Sequence, residues 1–220
     1  MTAAMHAPLS VNQIDLHGRV AVVNGAAQGL GHAVAERLLN AGAEVALWDL
    51  DAARLFDAEN ALGPLGRVTA SIVDPTMGPD VDAAAADAVK AHGTIDVLIN
   101  CAGGASPAGP LLACRAIVPQ MLTRGYGRIV NVAALAGDED LIALTQSLAQ
   151  ELATTGILVN TVASAATTMP VGDAATMIAW LASEACSSST GAVFDLSGGR
   201  GAPSCAEMVL GRAAPGGQHP

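Results

Sequence analysis

Asn24-Gly25-Ala26-Ala27-Gln28-Gly29-Leu30-Gly31 is the stretch that decides the fold. It follows the apolar run Val20-Ala-Val-Val23 and opens an Ala/Leu-rich segment with helical spacing. Glycine at 25, 29 and 31 answers three steric demands. The turn must be tight, the backbone must come close to a pyrophosphate, and the helix must pack close to the strand. The start of the helix then offers unpaired N–H groups and the positive end of its dipole to phosphate. A glycine-rich turn alone is a weak sign. Placed after a strand, opening a helix, inside a βαβ unit, it reads as a dinucleotide cradle.

Outward from this turn, apolar runs alternate with helical patterns along the whole chain. Strands are predicted at Val20–Asn24, Glu44–Trp48, Arg67–Val73, Ile95–Asn100, Arg128–Val132, Ile157–Val162 and Ala192–Leu196. Helices are predicted at Gly29–Asn40, Ala52–Ala61, Val81–His92, Leu111–Arg124, Leu141–Thr155 and Asp173–Ser183. Right-handed crossovers then give an α/β fold: a Rossmann-type doubly wound parallel sheet of about seven strands in a single domain. The chain has 220 residues, enough for one such domain with a real core. The domain is expected over 16–200. The Gly/Pro/Ala-rich ends, 1–15 and 201–220, are expected to be a disordered N-terminal tail and a flexible C-terminal tail.

Composition excludes several function classes. The net charge of −10 repels nucleic-acid backbones and anionic lipid, and aromatics are too few for a base-stacking platform. No apolar stretch is long enough for a bilayer, and Met1–Ser10 has neither the basic nor the apolar region of a secretory signal. Cys101, Cys114, Cys186 and Cys205 form no C-x-x-C and do not pair with the scattered histidines at metal-site spacing. Reduced thiols in the cytoplasm and no metal are the expectation.

The expected cofactor is NAD. Asp49 ends the second strand, where a carboxylate can accept hydrogen bonds from adenosine ribose hydroxyls and repel a 2′-phosphate. No Arg lies in the glycine turn or directly after Asp49. A solvated strand-end acid is the plainer alternative. The candidate cofactor set is Asn24, Gly25, Gln28, Gly29, Leu30 and Gly31 of the turn, Asp49 and Leu50 after the second strand, Val73 and Asp74 after the third, and Asn100, Ala102 and Gly103 after the fourth. Asp74 could cap an adenine amino group, or could serve as the turn former before Pro75.

Together these residues resemble the short-chain dehydrogenase/reductase family. Asn24–Gly31 is similar to its Thr-Gly-x-x-x-Gly-x-Gly motif with Asn for Thr, and Asn100-Cys101-Ala102-Gly103 to its Asn-Asn-Ala-Gly with Cys for the second Asn. Gly127–Val132, Leu144–Leu152, Gly156–Asn160, Ala182-Ser183, Thr190-Gly191 and Ser197–Gly199 resemble later family segments, so the likeness runs from about Leu16 to Gly199. It implies hydride transfer between NAD(P) and a secondary alcohol or ketone by an Asn-Ser-Tyr-Lys tetrad, with Tyr as the acid/base. It further implies pairing into a homo-oligomer through helices that are shortened here. The tetrad Ser position falls at Ala134. Where the Tyr-x-x-x-Lys pair should open a helix, the chain runs Gly137-Asp-Glu-Asp-Leu141. Its one tyrosine, Tyr126, and one lysine, Lys90, stand in the wrong order and far apart. No catalytic residue is assigned. Two readings remain open: an NAD-dependent oxidoreductase of 3-oxoacyl or sugar-acid type, and an NAD(H)-binding pseudoenzyme acting as sensor or partner subunit.

Overall fold

β1 (Val20–Asn24) is buried at every position, and the rest of the molecule is arranged on both sides of it. The computed structural model describes residues 14–101, 107–133, 138–163 and 170–196. After β1 come α1 (Gly29–Asn40), β2 (Glu44–Asp49), α2 (Ala52–Leu62), β3 (Val68–Ile72), α3 (Gly78–His92) and β4 (Val97–Asn100). The second half runs α4 (Ala108–Arg124), β5 (Gly127–Ala133), α5 (Glu139–Glu151), β6 (Ile157–Ala163), α6 (Val171–Ala182) and β7 (Val193–Asp195). The strands form one seven-stranded sheet in the order β3-β2-β1-β4-β5-β6-β7, parallel throughout. The order reverses between β1 and β4, so a crevice opens beyond their carboxyl ends.

Strand alternation sorts the core into two layers. Val23, Leu47, Ile99 and Val162 face one way and pack with Val34 and Leu38 of α1 and Ile178 of α6. Val22, Trp48, Leu98 and Ile129 face the other way, against Val81 of α3, Ile117 of α4 and Ala149 of α5. Among the described residues no helix is long and apolar enough to cross a membrane.

The predicted elements are all present, with shifted ends. α3 and α4 each begin three residues before the sequence reading placed them. Pro79 and Pro110 both fall in a first turn, where the missing N–H costs nothing. β4 starts at Val97 and not at Ile95, although the backbone of buried Asp96 still meets both neighbouring strands, its N–H on the Val20 carbonyl at 2.9 Å and its carbonyl on the Arg128 N–H at 3.0 Å. Its buried carboxylate accepts from the Val20 N–H at 3.1 Å and lies 3.6 Å from Arg19 and 3.5 Å from Arg124. α5 ends at Glu151, four residues early, in a turn closed by the Thr155 N–H on the Leu152 carbonyl.

A ladder of buried polar side chains crosses the α3–α5 face of the sheet. Asn24, Asn100, Asn131 and Thr161 are successive register partners on β1, β4, β5 and β6. The Asn100 amide donates to Asn131 Oδ1 at 2.8 Å, and the Asn131 amide donates to Thr145 Oγ1 of α5 at 2.9 Å. Thr161 also donates to Thr145 Oγ1, at 2.8 Å, and Thr145 gives its own proton to the Leu141 carbonyl at 2.9 Å. Thr145 is fully buried, and its hydroxyl is filled as one donor and two acceptors. Replacing it by valine keeps the shape and strands two donors. Thr145→Val is expected to lower stability by about 2 kcal/mol and Thr145→Ser to retain most of it, read by urea or thermal unfolding.

Candidate nucleotide-binding site

The glycine turn folds back over β2 because the Gly25 and Ala26 N–H groups both donate to the Trp48 carbonyl, at 2.8 and 3.1 Å. Gly25 and Gly29 have positive φ (82° and 59°), a region costly for any residue with a Cβ. Gly31 is required for a different reason: a Cβ there would sit 1.9 Å from the Gly25 carbonyl oxygen. α1 therefore starts in contact with the turn, and the unpaired N–H groups of its first residues face the crevice.

Asp49 closes the other side. Its Oδ2 accepts from the Ala27 N–H of the turn and its Oδ1 from the Asp51 N–H, both at 3.0 Å. Asp51 in turn caps α2, accepting from the Arg54 N–H at 3.1 Å. The carboxylate is held at a fixed angle between two loops, and each oxygen keeps a lone pair for a ligand hydroxyl. Between these elements lies a cavity of about 350 Å³. The turn (Asn24, Gly25, Gln28, Leu30, Gly31) forms one wall, Asp49 and Leu50 a second, and Pro75 and Cys101 a third.

The other candidates stand around it. Gly29 opens the helix without lining the cavity. Val73 is buried and donates its N–H to the Asp49 carbonyl at 3.0 Å, which ties the end of β3 to the site. The half-buried Asp74 accepts from the Thr76 hydroxyl at 2.7 Å and N–H at 2.9 Å, and these bonds hold its carboxyl below the usual range. Its turn-forming role is thus visible, with one oxygen left for a ligand. Asn100 lies buried behind the wall. Ala102, Gly103 and Ala134 fall outside the described residues, as do Ser106, Ser164 and Thr167. Cys101 borders the cavity, and burial pushes its thiol up to about 12, which keeps it protonated and non-nucleophilic at neutral pH. Among the described residues, no group of three or more His, Cys, Asp and Glu could hold a metal.

Tyr126 stands just before β5, at the sheet edge opposite the cavity, with its ring between two guanidinium groups: Arg19 at 3.8 Å and Arg128 at 4.5 Å from the centroid. Burial raises its phenol against the lowering by those charges. Lys90 is exposed in the last turn of α3, at the same opposite edge, where it complements the helix dipole. Glu139 and Asp140 occupy the first turn of α5, a stabilising place for acids. The Asn131–Thr145–Thr161 hub is not among the residues expected from the sequence. Its signal was the recurrence of Asn at or near the end of apolar strands, at 24, 100 and 131.

Residues 19–109 match the family model for short chain dehydrogenases. A 2-dehydro-3-deoxy-L-rhamnonate dehydrogenase (NAD(+)) from a Sphingomonas species is 33% identical, over 83% of this chain and 95% of that protein. The chain belongs to the short-chain dehydrogenase/reductase family. A solved short chain dehydrogenase from Mycobacterium smegmatis superposes with TM-score 0.77 at 30% identity, covering 84% of this chain and 96% of that one. The hydroxysteroid dehydrogenase from Escherichia coli superposes at 0.80 with 23% identity, over 87% and 99%, a likeness of fold. In this family member the turn depends on position 31 lacking a side chain. Gly31→Ala is expected to cost about 2 kcal/mol or more, a fall of roughly 5 °C in Tm, and to weaken any ligand of the cavity.

Proposed function

We propose that this chain binds NAD(H) in the cleft beyond β1, β2 and β4, as the nucleotide half of a dehydrogenase moving hydride between NAD(H) and a secondary alcohol or ketone. One observation carries the reading: the Asp49 carboxylate is fixed by the Ala27 and Asp51 N–H groups on the cavity wall facing the glycine turn. It presents acceptors to the adenosine ribose hydroxyls and opposes the charge of a 2′-phosphate, so NAD is favoured over NADP. The N–H groups at the start of α1 take the pyrophosphate, and Leu50, Val73 and Asp74 border the adenine. Asn100 at the end of β4, with Ala102 and Gly103 next after Cys101 in the sequence, are the remaining candidates for cofactor contact. The name of the Sphingomonas relative makes a sugar acid the substrate class to try first.

A second reading has its own support. Tyr126 and Lys90 lie at the amino-terminal edge of the sheet, away from the cleft. The alignment with the Sphingomonas relative runs over 240 positions, longer than this chain, while using 83% of it, so that relative carries segments this chain lacks. Both facts support an NAD(H)-binding protein without Tyr–Lys chemistry of its own, acting as a sensor or partner subunit.

Titration with NADH and NADPH, followed by nicotinamide fluorescence, tests the binding. NADH is expected to bind more tightly. Asp49→Ala is expected to weaken it about tenfold, and Asp49→Arg to shift preference toward NADPH. Unchanged affinities in both variants would refute the placing of the ribose. A panel of alcohols and ketones then separates the two readings. Turnover abolished by Asp49→Arg supports the dehydrogenase; binding without turnover supports the sensor. Ala134→Ser alone is expected to produce no activity.

A further inference from the structure

Three buried polar atoms stand in a row on adjacent strands with no hydrogen-bond partner among the described residues: Trp48 Nε1 on β2, Asn24 Oδ1 on β1 and Asn100 Oδ1 on β4. Trp48 and Asn24 are register partners, as are Asn24 and Asn100, so the three side chains share one face of the sheet. Each residue is at most 1% exposed. Native structures seldom leave such a group unpaired, and three neighbours in this state point to one shared partner.

The chemistry of that partner follows from the polarity of the ladder. Thr145 gives its only proton to the Leu141 carbonyl, so it can offer Asn131 lone pairs alone. Asn131 must then turn its amide to Thr145 and its carbonyl to Asn100. Asn100, donating to that carbonyl, is left with its own oxygen toward β1. The row reads donor, acceptor, acceptor from Trp48 to Asn100. A water molecule fits: it accepts from the indole N–H and donates to both carbonyls, the three bonds a buried water ordinarily makes.

We propose that such a water, oriented through Thr145, holds the Asn24 carbonyl inward, so that the Asn24 amide nitrogen faces the cleft and donates to an oxygen of the bound dinucleotide. Asn24 lines the cavity. With its oxygen buried, the amide nitrogen is the polar atom it has left to present there. The proposal rests on the NAD(H) reading of the cleft for the identity of the acceptor, and on the ladder alone for the orientation.

Two measurements on the full chain test it. In ¹⁵N-labelled protein without ligand, the Trp48 indole N–H is expected to show magnetisation transfer from a long-lived water, with Trp48→Phe assigning the signal and Trp180 as internal comparison. Asn24→Asp, which keeps the shape and replaces the amide nitrogen by an oxygen, is expected to weaken NADH by tenfold or more. A Trp48 indole that shows no contact with a long-lived water overturns the bridging water. Unchanged NADH affinity in Asn24→Asp overturns the donor role. If the unaltered protein binds no NADH, the reading of the cleft falls, and the indole signal still decides how Asn24 is held.

Discussion

Everything at the carboxyl edge of the sheet depends on how closely α1 can approach β1. The limit is set at one point, where position 31 would drive a Cβ into the Gly25 carbonyl. With glycine there, the helix start, the turn and the end of β2 come within hydrogen-bond reach of one another. Ala27 can then donate to Asp49, and Gly25 and Ala26 to Trp48. A side chain at 31 would separate the helix dipole from the crevice and release the Asp49 carboxylate together. The wall of the crevice is therefore one mechanical unit, in which a packing contact sets an electrostatic one.

The opposite edge has its own logic. Arg19, Arg124, Arg128, Asp96, Glu184 and Tyr126 form a cluster that ties the start of the strands to the ends of α4 and α6. Arg128 reaches three carbonyls, of Gly127, Gly156 and Ser183. The phenol of Tyr126 lies within this cluster, raised by burial and pinned between cations. A tyrosine so held is a structural piece. Being the only one in the chain matters less than being at the wrong end of the parallel strands, because a ligand at the carboxyl edge is a whole strand length away.

The parts of the fold legible in the sequence are those written periodically. Alternating apolar runs located every strand, and the glycines at 25, 29 and 31 located the crevice, because each is demanded by backbone sterics with few alternatives. Helix starts were less legible, since Pro79 and Pro110 carry the same local signal whether they stop a helix or begin one. The Asn131–Thr145–Thr161 hub was not legible, although all its residues were in view. Which strand lies next to which, and in what register, decides whether three polar side chains meet, and no local pattern encodes that. Asp74 lies between these cases: its turn role follows from the adjacent Pro75 and Thr76, while any adenine contact depends on the distance to a ligand.

The same distinction separates binding from chemistry. Binding of a dinucleotide is distributed over backbone N–H groups, a helix end and one carboxylate, and it survives the loss of any single side chain with reduced affinity. Proton transfer to or from an alcohol is concentrated in one group whose pKa must lie near that of its task. The acids at the start of α5 stand at the correct edge, yet a carboxylate's reference pKa is several units below that of a phenol. Turning such a group into the proton donor for a ketone would require deep burial, but Glu139 and Asp140 are exposed. The exposed acids of that turn stabilise the start of the helix, a role that needs neither burial nor a raised pKa.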